Sequence, residues 1–336
     1  MKIPSASGLA RQWRAATPGV IACFVIAAAA TFLAEHYHTP VMLFALLIGI
    51  AMNFLSEQSA CVPGIAVSAR TLLRWGVALL GLRITVGDIA ALGWQPAAMV
   101  VLSVGLTIGL SIVGARLMGF RTGFGVLSGG ATAICGGSAA LALAAAMPAH
   151  PLKDRALSFT LIGISTLSNI ALIVYPVIAR MLDLSPTHAG IFLGGTIHEV
   201  AQAVGAGYSM STSVGDTATV VKLMRVVMLL PVIALTVVLM SSPESKAGAE
   251  RPPLLPWFIV VFAALVLANS MGWIPQPIVK AGVSLSGWCL VVAIAAVGVK
   301  TQVKDLVTVG IKPVILMVGE TVLLIAIVLG LLRFYG

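Results

Sequence analysis

The sequence predicts an all-α membrane protein with 9 to 11 transmembrane helices, and three observations carry this prediction. The 336 residues are 59% hydrophobic and only 9% charged, whereas an average soluble domain carries about 25% charged residues. The mean hydropathy is +1.07. Apolar runs of roughly 20 residues, the length that a helix needs to cross a bilayer, recur along the chain, and alternating strands of the barrel type are absent.

Most of the apolar runs predict ordinary spanning helices, at 17–34, 40–56, 71–92, 97–115, 156–179, 217–240, 257–272, 281–299 and 313–333. Two further stretches, 124–147 and 189–210, are too rich in glycine for regular spanning helices. We predict that each is a broken helix, since a break leaves backbone groups that only protein, water or a ligand can satisfy. Each could be re-entrant or could cross the bilayer as a discontinuous helix.

The net charge of +9 would suggest nucleic acid in a soluble protein. Here the basic residues lie mainly in short connections between spans. This placement indicates how the spans are oriented in the membrane and does not indicate a polyanion site. The bias predicts a cytoplasmic N-terminal segment, 1–16. We expect this segment to be retained, because the apolar run that follows continues past any clear cleavage site. The partners expected are the lipid bilayer and a small anionic solute, with a homodimer allowed.

Two internal similarities organise the chain. A shift of 217 places Gly81 to Asp88 over Gly298 to Asp305, and a tryptophan, Trp75 or Trp288, opens each helix. The two copies would end on opposite sides of the membrane, which is typical of the inverted repeats of secondary transporters. The domains predicted are a first flanking repeat at 17–119, a central core at 120–241, a polar linker at 242–253 and a second flanking repeat at 254–336.

A second shift, of 65, lays Gly125 to Gly130 over Gly190 to Gly195, and both frames lead into a polar centre. Re-entrant elements would approach each other from opposite faces and would improve the charge bias, so we favour that arrangement. The candidate substrate or ion site comprises Ser128, Gly129, Gly130, Thr132, Cys135, Gly136, Gly137, Ser138, Asn169, Thr196, His198, Glu199, Gln202, Lys222 and Arg225. Asn169 lines a pathway or makes an interhelical hydrogen bond.

His198, Glu199 and Gln202 are the most informative of these residues, because ionisable groups at bilayer depth are costly. His198 or Glu199 could carry a coupling proton. Lys222 and Arg225 stand three residues apart on the next helix. They could contact an anion, or they could pair with Glu199 and make its burial tolerable; Lys222 could also extend to the membrane surface.

The run His198-Glu-Val-Ala-Gln202 also lies one residue from the HExxH signature of zinc hydrolases. That chemistry needs two histidines four apart and a third ligand, and the second position here is Gln202. A membrane metallohydrolase is therefore the weaker alternative, and we predict no metal and no enzymatic activity.

Three segments resemble the YeiH family of bacterial inner-membrane proteins: 133–140, 195–207 and the run that begins Lys222-Leu-Met-Arg225. The similarity extends from about 17 to 333. Members of that family are labelled sulfate exporters and are grouped with the folds of bile-acid symporters and cation/proton antiporters. The resemblance implies a scaffold and a mobile core with two broken helices that move in an elevator-like fashion.

The sequence thus predicts a secondary transporter of a small anion such as sulfate, sulfite or a sulfonate. No Walker motif is present, so we expect coupling to H⁺ or Na⁺ and no cofactor. Half-helix N-termini and Arg225 would hold the anion. A proton or Na⁺ antiporter that depends on Glu199 alone is the main alternative.

Overall fold

The computed structural model describes residues 6–37, 39–148, 150–240, 256–300 and 311–335, and these residues form helices and no strands. The first half contains α1 (Ala6–Tyr37), α2 (Val41–Ala51), α3 (Val62–Val67), α4 (Leu73–Leu80), α5 (Val86–Ala91), α6 (Gln95–Leu117), α7 (Thr122–Ala133) and α8 (Gly137–Ala146). The second half contains α9 (Lys153–Met181), α10 (Pro186–Thr196), α11 (Val200–Met210), α12 (Thr212–Val227), α13 (Leu229–Met240), α14 (Trp257–Ser270), α15 (Gln276–Lys300) and α16 (Ile311–Tyr335).

Six of the predicted spans fall on stretches of the described residues that are long and apolar enough to cross a membrane: Arg14–Tyr37, Gln95–Leu117, Lys153–Met181, Thr212–Met240, Gln276–Lys300 and Ile311–Phe334. The predicted spans 40–56 and 257–272 are shorter helices, α2 and α14. The protein is therefore an all-helical membrane protein with at least these six candidates.

The predicted span 71–92 is displaced in the structure. Its helix begins about ten residues earlier, at Val62, continues through a π-helical turn at Ser68–Leu72 and ends at Leu80. The chain then turns into α5, where the backbone N–H of Asp88 donates to the Thr85 hydroxyl at 3.1 Å and the Thr85 N–H donates to the Asp88 carboxylate at 2.9 Å. This reciprocal cap begins a new helix, and hydropathy does not detect it.

The two tryptophans do not open their helices, contrary to the sequence expectation. Trp75 lies 13 residues after Val62, and Trp288 lies 12 residues after Gln276. Hydropathy placed the starts too late, since the first turns of both helices contain proline, glycine and polar residues that lower the local average.

The described residues divide into two compact units. The first contains those within 1–88, 208–211 and 257–302, and the second contains those within 89–207, 212–256 and 303–336. In the first unit, helices approach closely at glycine: a Cβ added to Gly64 would lie 2.0 Å from Ala16 O, and one added to Gly49 would lie 2.4 Å from Ala295 O. Such contacts are typical of helix packing in membranes.

The second unit contains both glycine-rich stretches together with α6 and α16. Packing thus groups α6 and α16 with the broken helices, whereas the sequence division assigned them to the flanking repeats 17–119 and 254–336. Shifted by 217 residues, the bounds of α6 fall within one residue of those of α16. Residues 301–305 of the second copy of the repeat motif lie outside the described residues, as does the linker 242–253. The inverted relation of the repeats stays a prediction.

Candidate functional site

The first glycine-rich stretch is a helix that breaks and doubles back. α7 ends at Ala133, Ile134 leaves the helical region, and Gly136 has φ 66° and ψ −129°, a conformation that favours glycine. A Cβ added to Gly130 would lie 2.3 Å from Leu143 Cδ1. In an uninterrupted helix these two residues would be about 20 Å apart along the axis, from a rise of about 1.5 Å per residue. α8 therefore returns along α7.

The second stretch behaves in the same way. α10 ends at Thr196 and α11 begins at Val200. Gly194, before the break, and Gly207, after it, both contact Ala218 of α12: their added Cβ atoms would lie 2.4 Å from its O and 3.0 Å from its Cβ. Both halves thus lie beside the same turn of α12, which requires a reversal of the chain between them.

The ends of α7 and α10 meet at two fully buried cations on α12. Lys222 Nζ donates to the carbonyl oxygens of Ile134 at 2.8 Å, Ile197 at 2.9 Å and His198. Arg225 donates through Nε to Ala133 O at 2.8 Å, through one terminal nitrogen to Gly194 O at 3.2 Å and Ile197 O at 3.1 Å, and through the other to Thr132 O at 2.8 Å.

These contacts explain how charges can be buried here. The last carbonyls of a helix lack internal partners, and together they carry about −0.5 of an elementary charge. Two such ends converge on Lys222 and Arg225, so the dipoles and the hydrogen bonds together offset the cost of desolvating the cations. Every hydrogen bond that these two side chains donate in the described part of the chain goes to a backbone carbonyl. The ion pair with Glu199 that the sequence suggested is not formed.

Glu199 lies instead beside the N-terminal ends of α8 and α11, the helices that follow the two breaks. Its backbone precedes α11, and its side chain contacts the start of α8: a Cβ added to Gly136 would lie 2.6 Å from its Cγ. Ser165 Oγ is 3.5 Å from Oε1. Glu199, Ser165 and Gly137 are half-buried and Ser138 is exposed, so this is the accessible side of the breaks.

Asn169 and Gln202 extend this polar side along α9 and α11. Gln202 Nε2 donates to Asn169 Oδ1 at 2.8 Å, and the Glu199 backbone N–H donates to Ser168 Oγ at 3.1 Å. Gln202 is 4% exposed, and its Oε1 has no hydrogen-bond partner. A buried acceptor without a donor is uncommon in folded proteins and costs free energy.

His198 points away from Glu199 and is fully buried. Its Nδ1 is 3.2 Å from Thr132 O and its Nε2 is 3.1 Å from Thr321 Oγ1. A carbonyl oxygen only accepts, so Nδ1–H donates to Thr132. The Thr321 hydroxyl also lies 2.8 Å from Met317 O, to which it can donate its one hydrogen. His198 therefore joins α7 to α16 beside the cations.

Glu320, which was not among the predicted site residues, lies in the middle of α16 and is 3% exposed. Its carboxyl group contacts the hydroxyls of Ser111 at 2.5 Å, Ser128 at 2.7 Å and Thr132 at 3.0 Å. It is the one acidic residue in the apolar run 313–333. That signal could have identified it, because a carboxyl group inside a span is a functional candidate by default.

Of the other predicted residues, some border the first break and the rest pack inside helices. Gly129 and Gly130 lie within α7, where an added Cβ would collide with Ser111 of α6 and Leu143 of α8, so they allow close packing, and only Gly136 and Gly137 border the break. Thr196 donates within its own helix, to Phe192 O at 2.6 Å. Cys135 is buried beside the Ser138 hydroxyl at 3.0 Å.

A cavity of about 1010 Å³ lies at the start of α7 in the same unit. Three phenylalanines and six basic or imidazole side chains contribute to its wall: Phe120, Phe124, Phe159, Arg116, Arg121, His150, Lys153, Arg155 and Lys312. Its positive charge makes it complementary to anions.

The contacts around Gln202 disfavour the zinc alternative. Gln202 occupies the position of the second histidine and is engaged with Asn169. Among the described residues, no group of three or more His, Cys, Asp or Glu side chains is placed to hold a metal ion.

Comparison with known proteins agrees with the resemblance seen in the sequence. The family described as "Conserved hypothetical protein 698" matches residues 18–317. A UPF0324 membrane protein of Chlorobaculum tepidum is 52% identical over 93% of this chain and 88% of its own length. The UPF0324 membrane protein TauZ of Paracoccus denitrificans is 46% identical over 92% and 93%, and one from Rhizobium meliloti is 44% identical over 95% and 93%.

No solved structure matches the chain. The family match covers most of the sequence and includes both broken helices, the cations of α12 and Glu199. The chain belongs to the UPF0324 family of membrane proteins, the family that the YeiH resemblance indicated.

Proposed function

We propose that the protein is a secondary transporter that moves a small oxyanion of the sulfate, sulfite or sulfonate class together with a proton. One observation carries the proposal. The two broken helices double back, and this brings the N-terminal ends of α8 and α11 to Glu199 on the accessible side of the breaks. The C-terminal ends of α7 and α10 are closed by Lys222 and Arg225.

The anion would bind at these N-terminal ends. The first N–H groups of a helix lack internal acceptors, and each end carries about +0.5 of an elementary charge. The hydroxyls of Ser138 and Ser165 and the amide of Asn169 border the same place. A water molecule bound together with the anion would also give the unpartnered Oε1 of Gln202 a hydrogen-bond donor.

Glu199 would couple the anion to a proton. An ionised carboxylate beside the half-helix ends competes with an anion for the same positive potential and repels it. A neutral Glu199 removes this repulsion, so the anion and the proton favour each other's binding, and by linkage the effect is reciprocal. The wall of the basic cavity would raise the local concentration of anions near the start of α7.

We further propose that both broken helices are re-entrant and approach the site from opposite faces of the membrane. The reversal of each chain at its break supports this arrangement. The unit that carries both breaks would be the mobile core, as the family resemblance implies.

The experiment is a thermal-unfolding screen of the purified protein against sulfate, sulfite, an aliphatic sulfonate and chloride, each with Na⁺ or K⁺, from acidic to neutral pH. A ligand that binds only the folded state at 100 times its dissociation constant stabilises it by about 2.7 kcal/mol. We expect one oxyanion to stabilise the protein, and more strongly as the pH falls. No stabilisation by any of these anions, at any pH, would refute the anion assignment.

The variant Glu199→Gln separates coupling from binding. In proteoliposomes it should abolish pH-driven anion uptake, while its melting temperature and its anion-induced stabilisation at acidic pH stay close to those of the wild type. Glu35→Gln, an exposed position on α1, is the matched control and should transport normally. Unchanged uptake with a lowered melting temperature would make Glu199 a structural group.

A proton or Na⁺ antiporter that moves no anion is the second candidate, favoured by the presence of carboxyl groups at Glu199 and Glu320 within spans. It predicts a proton flux across the membrane of proteoliposomes, and this flux needs no sulfur oxyanion. Flux that depends on Glu199 and is unaffected by all the tested anions would support it.

A further inference from the structure

The polar cluster around Glu320 lies outside the accessible site and has a chemistry of its own. Ser111 on α6, Ser128 and Thr132 on α7 and Glu320 on α16 come together from three helices, and all four are buried. The carboxyl Oε1 contacts the two serines and Oε2 contacts the threonine. No buried cation contacts this carboxyl group among the described residues, although an ionised carboxylate in apolar surroundings is costly without one.

The hydrogens of the cluster can be counted. Ser111 Oγ lies 2.5 Å from Glu320 Oε1 and 2.8 Å from Gly125 O. Ser128 Oγ lies 2.7 Å from the same Oε1 and 3.0 Å from Phe124 O. Each hydroxyl has one hydrogen, so each serine can donate to its carbonyl or to the carboxyl group, but not to both.

Two complete arrangements follow, and they differ by one proton. With an ionised Glu320, all three hydroxyls donate to the carboxylate. With a neutral Glu320, the hydrogen on Oε1 donates to Ser111 Oγ and Ser111 donates to Gly125 O, while Ser128 still donates to Oε1 and Thr132 to Oε2. Uptake of one proton forms one O–H bond and needs only the rotation of hydroxyls, with no movement of heavy atoms.

We propose that Glu320, with Ser111, Ser128 and Thr132, forms a proton-binding site that is separate from Glu199. The three carboxyl–hydroxyl distances, 2.5 to 3.0 Å, are those of O–H···O hydrogen bonds, so a hydrogen and not Na⁺ lies between the oxygens. The ligand is therefore H⁺, and the lack of a buried cation at this carboxyl group among the described residues favours its neutral form.

The surroundings of the cluster contain few charges. The helices packed against α16 are α6, α7, α9 and α10; α9 contributes Gly163 against Met317, and α10 contributes Gly195 against Val328. Their charged or imidazole side chains lie in the first or last turns: Arg116, Lys153, Asp154, Arg155, Arg180, His188, Lys312 and Arg333. Nearer groups act through Thr132, whose carbonyl accepts from Arg225 and His198, and through Thr321, which contacts His198.

Thr132 connects this site to the breaks. Its hydroxyl donates to Glu320, and its carbonyl is held by Arg225 at the end of α7. A change of charge at Glu320 therefore acts on the turn that ends α7. Any role of this proton in transport rests on the proposed function, whereas its presence in the folded protein does not.

The test is infrared difference spectroscopy of the full-length protein in lipid nanodiscs without added anion. A neutral carboxyl group gives a C=O stretching band that a carboxylate lacks. We expect such a band at neutral pH in the wild type, its loss in Glu320→Gln and its retention in Glu199→Gln. Glu320→Asp keeps the acid but shortens its reach by one methylene, so it should shift the band, and it serves if the glutamine variant does not fold.

Identical bands in the wild type and in Glu320→Gln at every pH at which both are folded would overturn the proposal. Loss of the band on replacing K⁺ by Na⁺ at constant ionic strength would also overturn it, because the site would then bind Na⁺. The proposed function fails by a different result, the absence of any stabilising anion, so the two failures are distinguishable.

Discussion

The two sides of the helix breaks differ in charge, burial and satisfaction of their polar groups. On one side, the C-terminal ends of α7 and α10 are closed by Lys222 and Arg225, which are fully buried and bonded to backbone carbonyls. On the other side, the N-terminal ends of α8 and α11 border the half-buried Glu199, and the amide of Gln202 lacks a partner for its Oε1.

This difference separates two kinds of intramembrane charge. A charge whose hydrogen bonds are all met by the protein stabilises the fold, and removing it leaves polar groups without partners. A charge that stays accessible beside an unsatisfied polar group is available to a solute. Position in an apolar run does not distinguish the two cases, but the partners do.

The largest effect should come from the closed side. Replacing Lys222 or Arg225 by methionine leaves several carbonyls at two helix ends unpartnered, and hydrogen bonds to charged groups are worth about 1.5–3 kcal/mol each. We expect each variant to unfold at least about 10 °C below the wild type or to fail to express, as judged by thermal melts and size-exclusion profiles in detergent, from a stability loss of several kcal/mol.

Arg333→Met is the matched control, since Arg333 lies exposed in the last turn of α16. It should melt as the wild type does. A Lys222 or Arg225 variant that keeps its melting temperature and loses its stabilisation by anions would show that these cations contact the solute, and the contrast between the two sides would be lost.

A smaller effect is expected at the turn that joins the two sides. Gly136→Ala forces a side chain into a left-handed conformation and against Glu199. A residue held in such a conformation costs about 1–3 kcal/mol, and the displaced Glu199 should weaken pH-driven uptake at the same time. Melting temperature and proteoliposome flux measure the two effects.

Gly105→Ala and Gly109→Ala on α6 are the controls, because nothing lies within 4 Å of an added Cβ at either position. Both should behave as the wild type. If Gly136→Ala is equally silent, the first break does not need its glycine.

The smallest effect on stability should come from the accessible side. Ser138→Ala removes an exposed hydroxyl whose intramolecular partner is Cys135, at 3.1 Å from its O. Loss of one such bond should lower the melting temperature without anion only slightly. Loss of one hydrogen bond to an anion, about 1.5–3 kcal/mol, should lower anion affinity roughly tenfold or more. Ser158→Ala, an exposed position on α9, is the control, and equal affinities for the two variants would place the anion elsewhere.

Much of the fold was predictable from the sequence. Composition and apolar runs predicted a helical membrane protein, and glycine content located both broken helices to within about three residues, because helix length in a bilayer and the scarcity of breaks are strong constraints. The run 71–92 was misplaced, since the Thr85 and Asp88 cap and the early start at Val62 depend on local hydrogen bonds that hydropathy averages out.

Most residues of the candidate site could be predicted from the sequence, but the contacts between them could not. The sequence by itself determined that His198, Glu199, Lys222 and Arg225 stand in apolar runs at or near the second glycine-rich stretch. Only the tertiary structure decided that the cations bond to helix ends instead of Glu199, that Gly129 and Gly130 serve packing, and that Glu320 joins α6 and α7. Pairing is set by which backbone groups remain unsatisfied once helices break and fold back. Thr132 and Arg225, 93 positions apart, and Ser111 and Glu320, 209 apart, meet only then.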